Sequence, residues 1–367
     1  MAAGASSPTD AVRTLATSLE DADVAGAMSG LAPSEAALLT DPLEDLVGEY
    51  QRLGVFRDDA SADDLRGISL TAENLQFDES AEERVNDRVV ITKLTGGTLT
   101  FTGNADELPL APEYKDELVG SGNTVETHTV DIAEETDEPI RIAAVQEDGE
   151  WYPSLFYTAA DAILQQEGAA WPEESVQPQG AGSPEDVVRE TVDAAVAGDL
   201  ERVLALLPPG EMSVLHDAGP LLLEQASDFP GAPGAELTDL QTETSDVEGG
   251  TRVTVTAVTV SVDGQTFTVR QDGDCYEAEA QGRTERMCGE DLVGMMASEF
   301  RGAMPRQAAE MMGNLAGGVM EQGIGVVTVE VDGEHYLSPV RTVTELGLTV
   351  LRSLSREDFE AMTQGGF

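Results

Sequence analysis

The sequence predicts an α+β protein built from two tandem domains, each with N-terminal helices packed on an antiparallel sheet. Three observations support this prediction. The two halves of the chain begin with matching residues, and each half then passes from helical to strand patterns. Each half also ends with Asp-Gly-Glu, one variable residue and Tyr before an apolar helical pattern, beginning at Asp148 and at Asp332.

The first helix of each half explains several of the matched residues. Ser7 and Ser183 are predicted N-caps, each followed by Pro at the first helical position and by Asp at the third. The matched pairs, each 176 positions apart, are Ser7 with Ser183, Pro8 with Pro184, Asp10 with Asp186, Val12 with Val188, Arg13 with Arg189, Asp23 with Asp199, Leu31 with Leu207, Pro33 with Pro209, Glu35 with Glu211 and Asp41 with Asp217. This regular spacing indicates a duplication.

Further helices are predicted after the first. Asp23 and Asp199 should cap a second, short helix, which the segments "APSE" and "PPGE" then end. Asp41 and Pro42 should open a third helix in the first half, with Glu44 completing a capping box. Asp41 and Asp217 therefore read as helix caps, although their recurrence also permits a catalytic role.

Strand patterns follow in both halves. The first half offers "GISLTAENLQF", "DRVVITKLTGGTLTFTG", "NTVETHTVDIA" and "IRIAAVQEDGEWYPSLF". The second offers "ELTDLQTETS", "TRVTVTAVTVSVDGQTFTVRQ", "CYEAEA" and "GVVTVEVDGEHYLSP". Alternation of apolar and polar residues, with "TGGT" and "VDGQ" as turns, predicts antiparallel hairpins. The last hairpin of each half should lead into a terminal helix.

A segment rich in Pro, Gly and polar residues separates the halves and predicts a linker. We therefore expect a first domain at 1–171, a linker at 172–183 and a second domain at 184–367. At 367 residues, the chain is long enough for each domain to bury its own core.

Composition limits the partners. The net charge is −50, from 70 acidic and 20 basic residues, so nucleic acid and anionic membrane surfaces are disfavoured by repulsion. The acidic surface suits a protein that meets high salt, and drift in composition explains it equally well. No run of 18 apolar residues occurs, so no membrane span is expected within this chain.

Cys275 and Cys288 are the two cysteines of the chain, with no histidine nearby at metal-ligand spacing. A disulfide is favoured over two free thiols, and it would indicate an oxidising compartment. The start of the sequence lacks the pattern of a signal peptide. We therefore expect an extracytoplasmic protein, secreted or anchored through a segment missing from this sequence.

The stretch from Ser183 to Glu211, with its following strands and the final "VDGEHY", resembles the nuclear-transport-factor-two-like, or cystatin-like, superfamily of α+β cones. Both halves are similar to secreted or membrane-tethered actinobacterial members. The resemblance implies two cone domains, each with a curved sheet. The superfamily includes enzymes, small-ligand binders and interaction modules, so it does not fix the function.

Candidate catalytic residues are few. The resemblance implies that an enzyme of this fold would use Asp, His or Tyr inside the cone. His128, His216 and His335 are more simply surface or rim residues, and Tyr152 and Tyr336 more simply pack their rings in the core. We predict no catalytic residue, no metal site and no cofactor.

One feature belongs to the second half alone. Residues 287–323 form an expected helical insertion, and the stretch from Met287 to Gly325 carries seven of the eleven methionines. It reads as a helical hairpin covering its own cone, or as a lid or docking surface for an apolar ligand or partner. The predicted binding residues are Met295, Met296, Phe300, Met311, Met312, Leu315 and Tyr336.

These observations favour a non-catalytic binding or assembly protein of the cell envelope, with a protein partner or an apolar small molecule as its ligand. The alternative is a cone-type isomerase, cyclase or dehydratase acting on an apolar small molecule. A deep cavity with a converging carboxylate or histidine would favour the enzyme.

Overall fold

We describe a computed structural model of the chain over residues 3–18, 28–112, 114–115, 124–135, 138–226, 231–232, 234–289, 291 and 315–364. These residues form a mixed α+β protein with two antiparallel sheets, one of which curls into a half-barrel. The predicted α+β class is confirmed. Contacts divide the chain into two compact units, Met1–Glu174 and Ser175–Phe367. None of the helices described has both the length and the apolar character needed to cross a bilayer.

The elements of unit 1 follow the predicted order of helices, then strands, then a terminal helix. Its helices are α1 (Pro8–Ser18), α2 (Pro33–Thr40), α3 (Leu43–Arg52), α4 (Ile132–Glu135) and α5 (Leu155–Glu167). Its strands are β1 (Ile68–Phe77), β2 (Glu83–Arg84), β3 (Val89–Asn104), β4 (Val125–Asp131), β5 (Ile140–Glu147) and β6 (Glu150–Ser154).

Unit 2 repeats this order and adds strands. Its helices are α6 (Pro184–Ala197), α7 (Leu200–Ala205), α8 (Ser213–Asp217), α9 (Gly219–Gln225), α10 (Pro339–Ser353) and α11 (Arg356–Gln364). Its strands are β7 (Ala235–Val247), β8 (Gly250–Val262), β9 (Gln265–Asp272), β10 (Cys275–Ala280), β11 (Arg283–Cys288), β12 (Gly325–Val331) and β13 (Glu334–Ser338).

Side chains cap the first helices as their sequences predict. The Ser7 Oγ accepts a hydrogen bond from the Asp10 N–H at 3.2 Å, and the Ser183 Oγ accepts one from the Asp186 N–H at 3.1 Å. Asp199 caps α7 by accepting the Arg202 N–H at 3.0 Å. These bonds satisfy amides that the helices leave without an internal partner. The predicted cap at Asp23 lies outside the described residues.

The prediction that Asp41 and Asp217 cap the start of a following helix is wrong. Asp41 is the C-cap of α2, and α3 has Pro42 as its N-cap without a side-chain bond. Asp217 is the last residue of α8, where its carboxylate accepts a hydrogen bond from the Ser175 Oγ at 2.6 Å. Helix α2 was missed because Pro33, which "APSE" places as a breaker, begins a helix instead.

The two sheets share one strand arrangement. In unit 1 the order is β1-β3-β5-β6, with β2 and β4 also paired to the long strand β3. In unit 2, β7 and β12 pair with β8, β13 pairs with β12, and β9 extends the sheet from β8. β3 therefore corresponds to β8, and the last hairpin corresponds in both units. Unit 2 adds β10 and β11 beyond β9, and we call β9, β10 and β11 the wing.

The "TGGT" turn predicted in unit 1 is absent, because β3 runs unbroken from Val89 to Asn104. Its register against β1 shifts near Gly96 instead. Gly97 has a φ of +125°, and a Cβ there would lie 3.0 Å from the Glu73 carbonyl oxygen. The glycine pair thus forms an irregularity within one strand. The predicted turns at Asp148 and Asp263 are confirmed, since both residues have positive φ before a glycine.

Each sheet is packed between helices on both faces. In β8, Val253 belongs to the core that contains Val187 and Val188 of α6, whereas the neighbouring Arg252 reaches Glu345 of α10. Because successive strand residues point to opposite faces, α6 and α10 lie on opposite sides of the sheet. In unit 1, Ala144 of β5 packs against α1, whereas Arg141 of β5 bonds to α5. These two strand residues point to opposite faces, so α1 and α5 also lie on opposite sides of their sheet.

A short N-terminal segment adds to the last strand in each unit. Ala5 pairs with Trp151, and Ala181 pairs with His335. In unit 2 this segment also includes Val176, whose N–H donates to the His216 carbonyl at 3.0 Å. Much of the segment 172–183 therefore hydrogen-bonds within unit 2.

Candidate functional site

Directly opposed residues of antiparallel strands share a face, and one face of the wing is richer in apolar residues than the other, although Gln271, Arg283 and Glu285 also lie on it. On the first face, Val269 lies between Val258 and Ala278. We call the apolar residues of this face the wing patch, namely Phe267, Val269, Tyr276, Ala278, Ala280 and Met287. The opposite face carries Thr268, Arg270, Glu277, Glu279, Thr284 and Arg286.

The wing patch continues the face of the sheet on which α6 packs. Val258, which opposes Val269, packs against the core cluster of Val187 and Val188. Farther from that core the apolar side chains become exposed, with 38% of Val269 and 42% of Met287 accessible. Solvent-exposed apolar side chains grouped on one face mark a binding surface more often than scattered ones do.

The predicted disulfide between Cys275 and Cys288 is confirmed, with an S–S distance of 2.08 Å. The two residues are directly opposite on β10 and β11. The strand β11 was missed from the sequence, and it includes Met287 and Cys288, which were assigned to the insertion. The disulfide therefore fixes the outer strand of the wing at the point where the Met-rich segment leaves it.

The Met-rich segment returns to unit 2 as a helical stretch at residues 315–322. Its C-terminal carbonyls are bound by the sheet, since Arg252 Nη2 donates to Gln322 O at 3.1 Å and to Gly323 O at 3.0 Å. Gln271 Nε2 donates to Met320 O at 2.8 Å. A cation at a helix C-terminus is favourable, so these contacts fix the return of the chain beside the wing.

Ile324 follows this anchor, is 64% exposed, and donates its N–H to the Tyr276 Oη at 3.2 Å. Tyr276 belongs to the wing patch, so Ile324 adds an exposed apolar side chain beside it.

Of the predicted binding residues, Leu315 and Tyr336 lie within the described part of the chain. Leu315 is a half-buried residue of the helical stretch 315–322. Tyr336 is buried on β13, the strand that pairs with β12. The predicted residues Met295, Met296, Phe300, Met311 and Met312 lie outside the described residues.

Tyr336 takes part in a contact that recurs in unit 1. Its hydroxyl donates to Glu334 Oε2 at 2.8 Å, and the Tyr152 hydroxyl donates to Glu150 Oε2 at 3.0 Å. Burial, reinforced by the adjacent carboxylate, raises the pKa of both phenols. A Cβ at Gly180 would lie 2.9 Å from the Tyr336 ring, so the N-terminal segment packs closely over it. This arrangement holds that segment to the last strand.

The histidines lie on three separate elements. His128 is exposed on β4 of unit 1, His216 is buried on α8, and His335 is half-buried on β13. The backbone of His335 pairs with Ala181, and the carbonyl of His216 accepts the Val176 N–H. Both histidines of unit 2 thus sit where the N-terminal segment is bound.

Unit 1 contains a buried carboxyl, Glu35, which lies 176 positions before Glu211 in the sequence. The sequence pattern does not mark it as a site residue. Glu35 is 4% exposed and accepts hydrogen bonds from the Ser154 Oγ and from the Leu155 N–H, the latter at 2.7 Å. It therefore caps the start of α5 from a distance. Burial raises the pKa of Glu35 despite these hydrogen bonds, which lower it, and the nearby Glu147 raises it slightly further.

Glu211 occupies the corresponding position in unit 2. It accepts the Ser338 Oγ at 2.7 Å and also pairs with Arg341 Nε at 2.7 Å. Arg341 stands where unit 1 has Tyr157, so only unit 2 supplies a cation at this point. A perturbed carboxyl is a recognised signal of a functional site. Here the bond from Ser154 to Glu35 recurs as the bond from Ser338 to Glu211, and each serine caps its terminal helix, which assigns Glu35 a structural role.

A second buried acid connects each terminal helix to its sheet. In unit 1, Arg141 Nε lies 2.5 Å from Asp161 Oδ2. Hydrogen bonds that Arg141 donates to Glu83 also lower the pKa of Glu83 to about 2. In unit 2, Glu345 pairs with Arg252 at 3.2 Å and with Arg352 at 2.8 Å. These pairs hold α5 and α10 in place.

Over the part of the chain that the structure describes, no cluster of three or more His, Cys, Asp or Glu side chains is arranged to hold a metal ion. The candidate site is the wing patch with Ile324, because its apolar side chains are exposed together on one face.

No protein-family model matches the chain, and no curated protein is similar to it. One solved structure, described as an "Ntf2 like protein involved in plasmid conjugation", is 11% identical, with a TM-score of 0.15. The similarity covers 67% of this chain and 93% of that one. Such a low TM-score supports no conclusion about function, and the cone superfamily remains a resemblance carried by the sequence motifs.

Proposed function

We propose that this chain is a non-catalytic binding or assembly protein of the cell envelope, acting outside the cytoplasm. Its recognition surface is the wing patch of unit 2, which takes an apolar small molecule or an apolar segment of a protein partner. The carrying observation is the exposure of Val269 (38%) and Met287 (42%) within an apolar cluster on one face of the wing, which Arg283 and Glu285 border.

The disulfide supports the proposed location outside the cytoplasm, and the net charge supports the proposed class of ligand. A disulfide between Cys275 and Cys288 persists in an oxidising compartment. The net charge of −50 disfavours nucleic acid and anionic lipid as ligands. An uncharged apolar ligand meets no such repulsion, so it fits this acidic protein better than an anion does.

The test is a titration of the full chain with Nile red, an uncharged apolar dye, followed by fluorescence. Replacing Val269 and Met287 with Ser removes two exposed apolar side chains without disturbing the core. We expect the dissociation constant to rise about thirtyfold, because the two lost side chains each contribute on the order of 1 kcal/mol of burial.

Phe101→Ser provides the matched control, since Phe101 is 43% exposed on β3, the unit 1 counterpart of β8. Its effect on dye binding should be less than twofold. Unchanged binding in the wing variant, or loss of binding in Phe101→Ser alone, would contradict the proposal.

The Met-rich segment is proposed to extend this surface, because it leaves the wing at Cys288 and returns beside Tyr276. Replacing Met311, Met312 and Leu315 with Ser should then weaken dye binding further when combined with the wing variant. If the combined variant binds no worse than the wing variant, the segment only covers the fold.

A further inference from the structure

The outward face of α10 carries an apolar stripe at heptad spacing. Val343 is 70% exposed, and Leu346 and Val350 are each 40% exposed. These residues stand at i, i+3 and i+7 of one helix, so they form a single line along its surface. Gly347 is also exposed and lies on the same line.

The charged side chains of α10 are all turned toward partners within unit 2. Arg341 pairs with Glu211, while Glu345 pairs with Arg252 and Arg352. The outward stripe therefore carries no charge, although the chain as a whole carries −50. A contact made through this stripe therefore includes no carboxylate from α10 itself.

Among the described residues of unit 2, none packs closely against Gly347. Its φ is not in the left-handed region, and a Cβ added there would meet no atom within 4 Å. A glycine in the middle of a helix lowers helix stability by about 1 kcal/mol relative to alanine. A second helix approaching closely would use the space that the glycine leaves.

We propose that the α10 stripe binds the α10 stripe of a second copy of this chain, with the two helices antiparallel. About a twofold axis between Leu346 and Gly347, Leu346 of each copy fills the space over Gly347 of the other. Val343 then lies beside Val350 on each side. The stripe is thus complementary to itself, as a twofold interface requires. This inference does not depend on the function of the wing.

The net charge gives the association a definite dependence on salt. Repulsion between two molecules of charge −50 is screened as ionic strength rises, and apolar contact is not weakened by salt. Dimerisation should therefore strengthen at high salt, whereas association through surface ion pairs would weaken. One helix pair buries less than the roughly 1,200 Å² of a stable interface, so a dissociation constant above about 1 µM is expected.

Sedimentation velocity of the full chain, over a range of concentrations in low and high NaCl, tests the proposal. We expect a monomer–dimer equilibrium that shifts toward dimer with concentration and with salt. Leu346→Glu should abolish the dimer. Gly347→Leu, which fills the space, should weaken it at least tenfold.

Gly48→Ala is the matched control, because Gly48 is likewise exposed in the middle of a helix, α3, with no atom within 4 Å of an added Cβ. It should leave the dimer unchanged, and circular dichroism should show that all three variants are folded. A chain that stays monomeric in both salts, or a dimer that survives Leu346→Glu, would overturn the proposal.

Discussion

Units 1 and 2 attach their terminal helices to their sheets through a buried acid at the same helix position, but the arginine that pairs with it comes from different strands. The acid on the helix is Asp161 in unit 1 and Glu345 in unit 2, 184 positions apart. Its arginine comes from β5 in unit 1, as Arg141, and from β8 in unit 2, as Arg252. The position that corresponds to Arg141 is Gly325, where a Cβ would lie 2.4 Å from Arg252 Nε.

This comparison shows which part of the contact the fold requires. A buried acid on the terminal helix needs a cation, because an unpaired buried charge is costly. The strand that supplies the cation can change, provided that the other strand makes room. Gly325 makes that room in unit 2. Strands β10 and β11 of the wing, by contrast, have no counterpart among the described residues of unit 1.

The largest expected effect comes from Arg252→Ile, which gives β8 the residue that β3 has at Ile91. Glu345 then keeps only Arg352, and the loss should destabilise unit 2 by about 3 kcal/mol. Calorimetry should show a lowered melting transition. Tryptophan fluorescence should not change its midpoint, because both tryptophans, Trp151 and Trp171, lie in unit 1.

Adding Gly325→Arg to Arg252→Ile transfers the unit 1 arrangement into unit 2. We expect the double variant to recover at least half of the lost stability. If it is no more stable than Arg252→Ile alone, the two cation positions are not equivalent.

Reduction of the disulfide should have the next largest effect. Cys275 and Cys288 are 13 positions apart, and closing a loop of this length contributes on the order of 3 kcal/mol in the chain-entropy model. The hairpin hydrogen bonds between β10 and β11 remain, so the observed loss should be somewhat smaller. Differential scanning calorimetry with and without a reductant measures it, and a thiol assay of the denatured, unreduced chain should detect no free thiol.

The two matched glutamates should respond differently to the same substitution. Glu211→Gln removes the carboxylate that pairs with the half-buried Arg341 and should cost unit 2 about 2 kcal/mol. Glu35→Gln removes no ion pair, so unit 1 should change by less than about 1 kcal/mol at neutral pH. Chemical unfolding of both variants, with tryptophan fluorescence for unit 1, provides the comparison. Equal losses would contradict the assigned difference.

Glu35 also predicts a pH dependence confined to unit 1. Its pKa in the folded chain is raised above the usual value of 4.5, so the folded state holds its proton more tightly than the unfolded state. Its contribution to stability is complete below that value and is lost as the pH rises through the raised pKa. Stability measured by tryptophan fluorescence should show this decline, and Glu35→Gln should remove it.

The smallest effect should come from cutting between the units. Trp171 belongs to unit 1 through its Nε1 bond to Asp161 at 3.0 Å, and Val176 already pairs within unit 2. We therefore expect limited proteolysis between residues 172 and 175, where Glu173 and Glu174 are exposed. Both fragments should remain folded by circular dichroism, and a fragment that unfolds on release would show that the units depend on each other.

The sequence by itself determined the features that depend on neighbouring residues. Ser7 and Ser183 cap helices because the cap, the following Pro and the Asp lie within four positions. The Asp-Gly turns at Asp148 and Asp263 form because those residues accept positive φ. The disulfide could be predicted because the two cysteines have no histidine nearby at the spacing that a metal site needs.

Only the tertiary structure decided the features that join distant residues. Nothing local to Gly96 and Gly97 separates a turn from an irregular strand, because pairing with β1 makes the choice. Glu35 becomes a helix cap only when α5, more than a hundred positions later, is packed against it. The uncharged face of α10 likewise depends on where Glu211 and Arg252 lie, since those distant partners draw the helix's own charges inward.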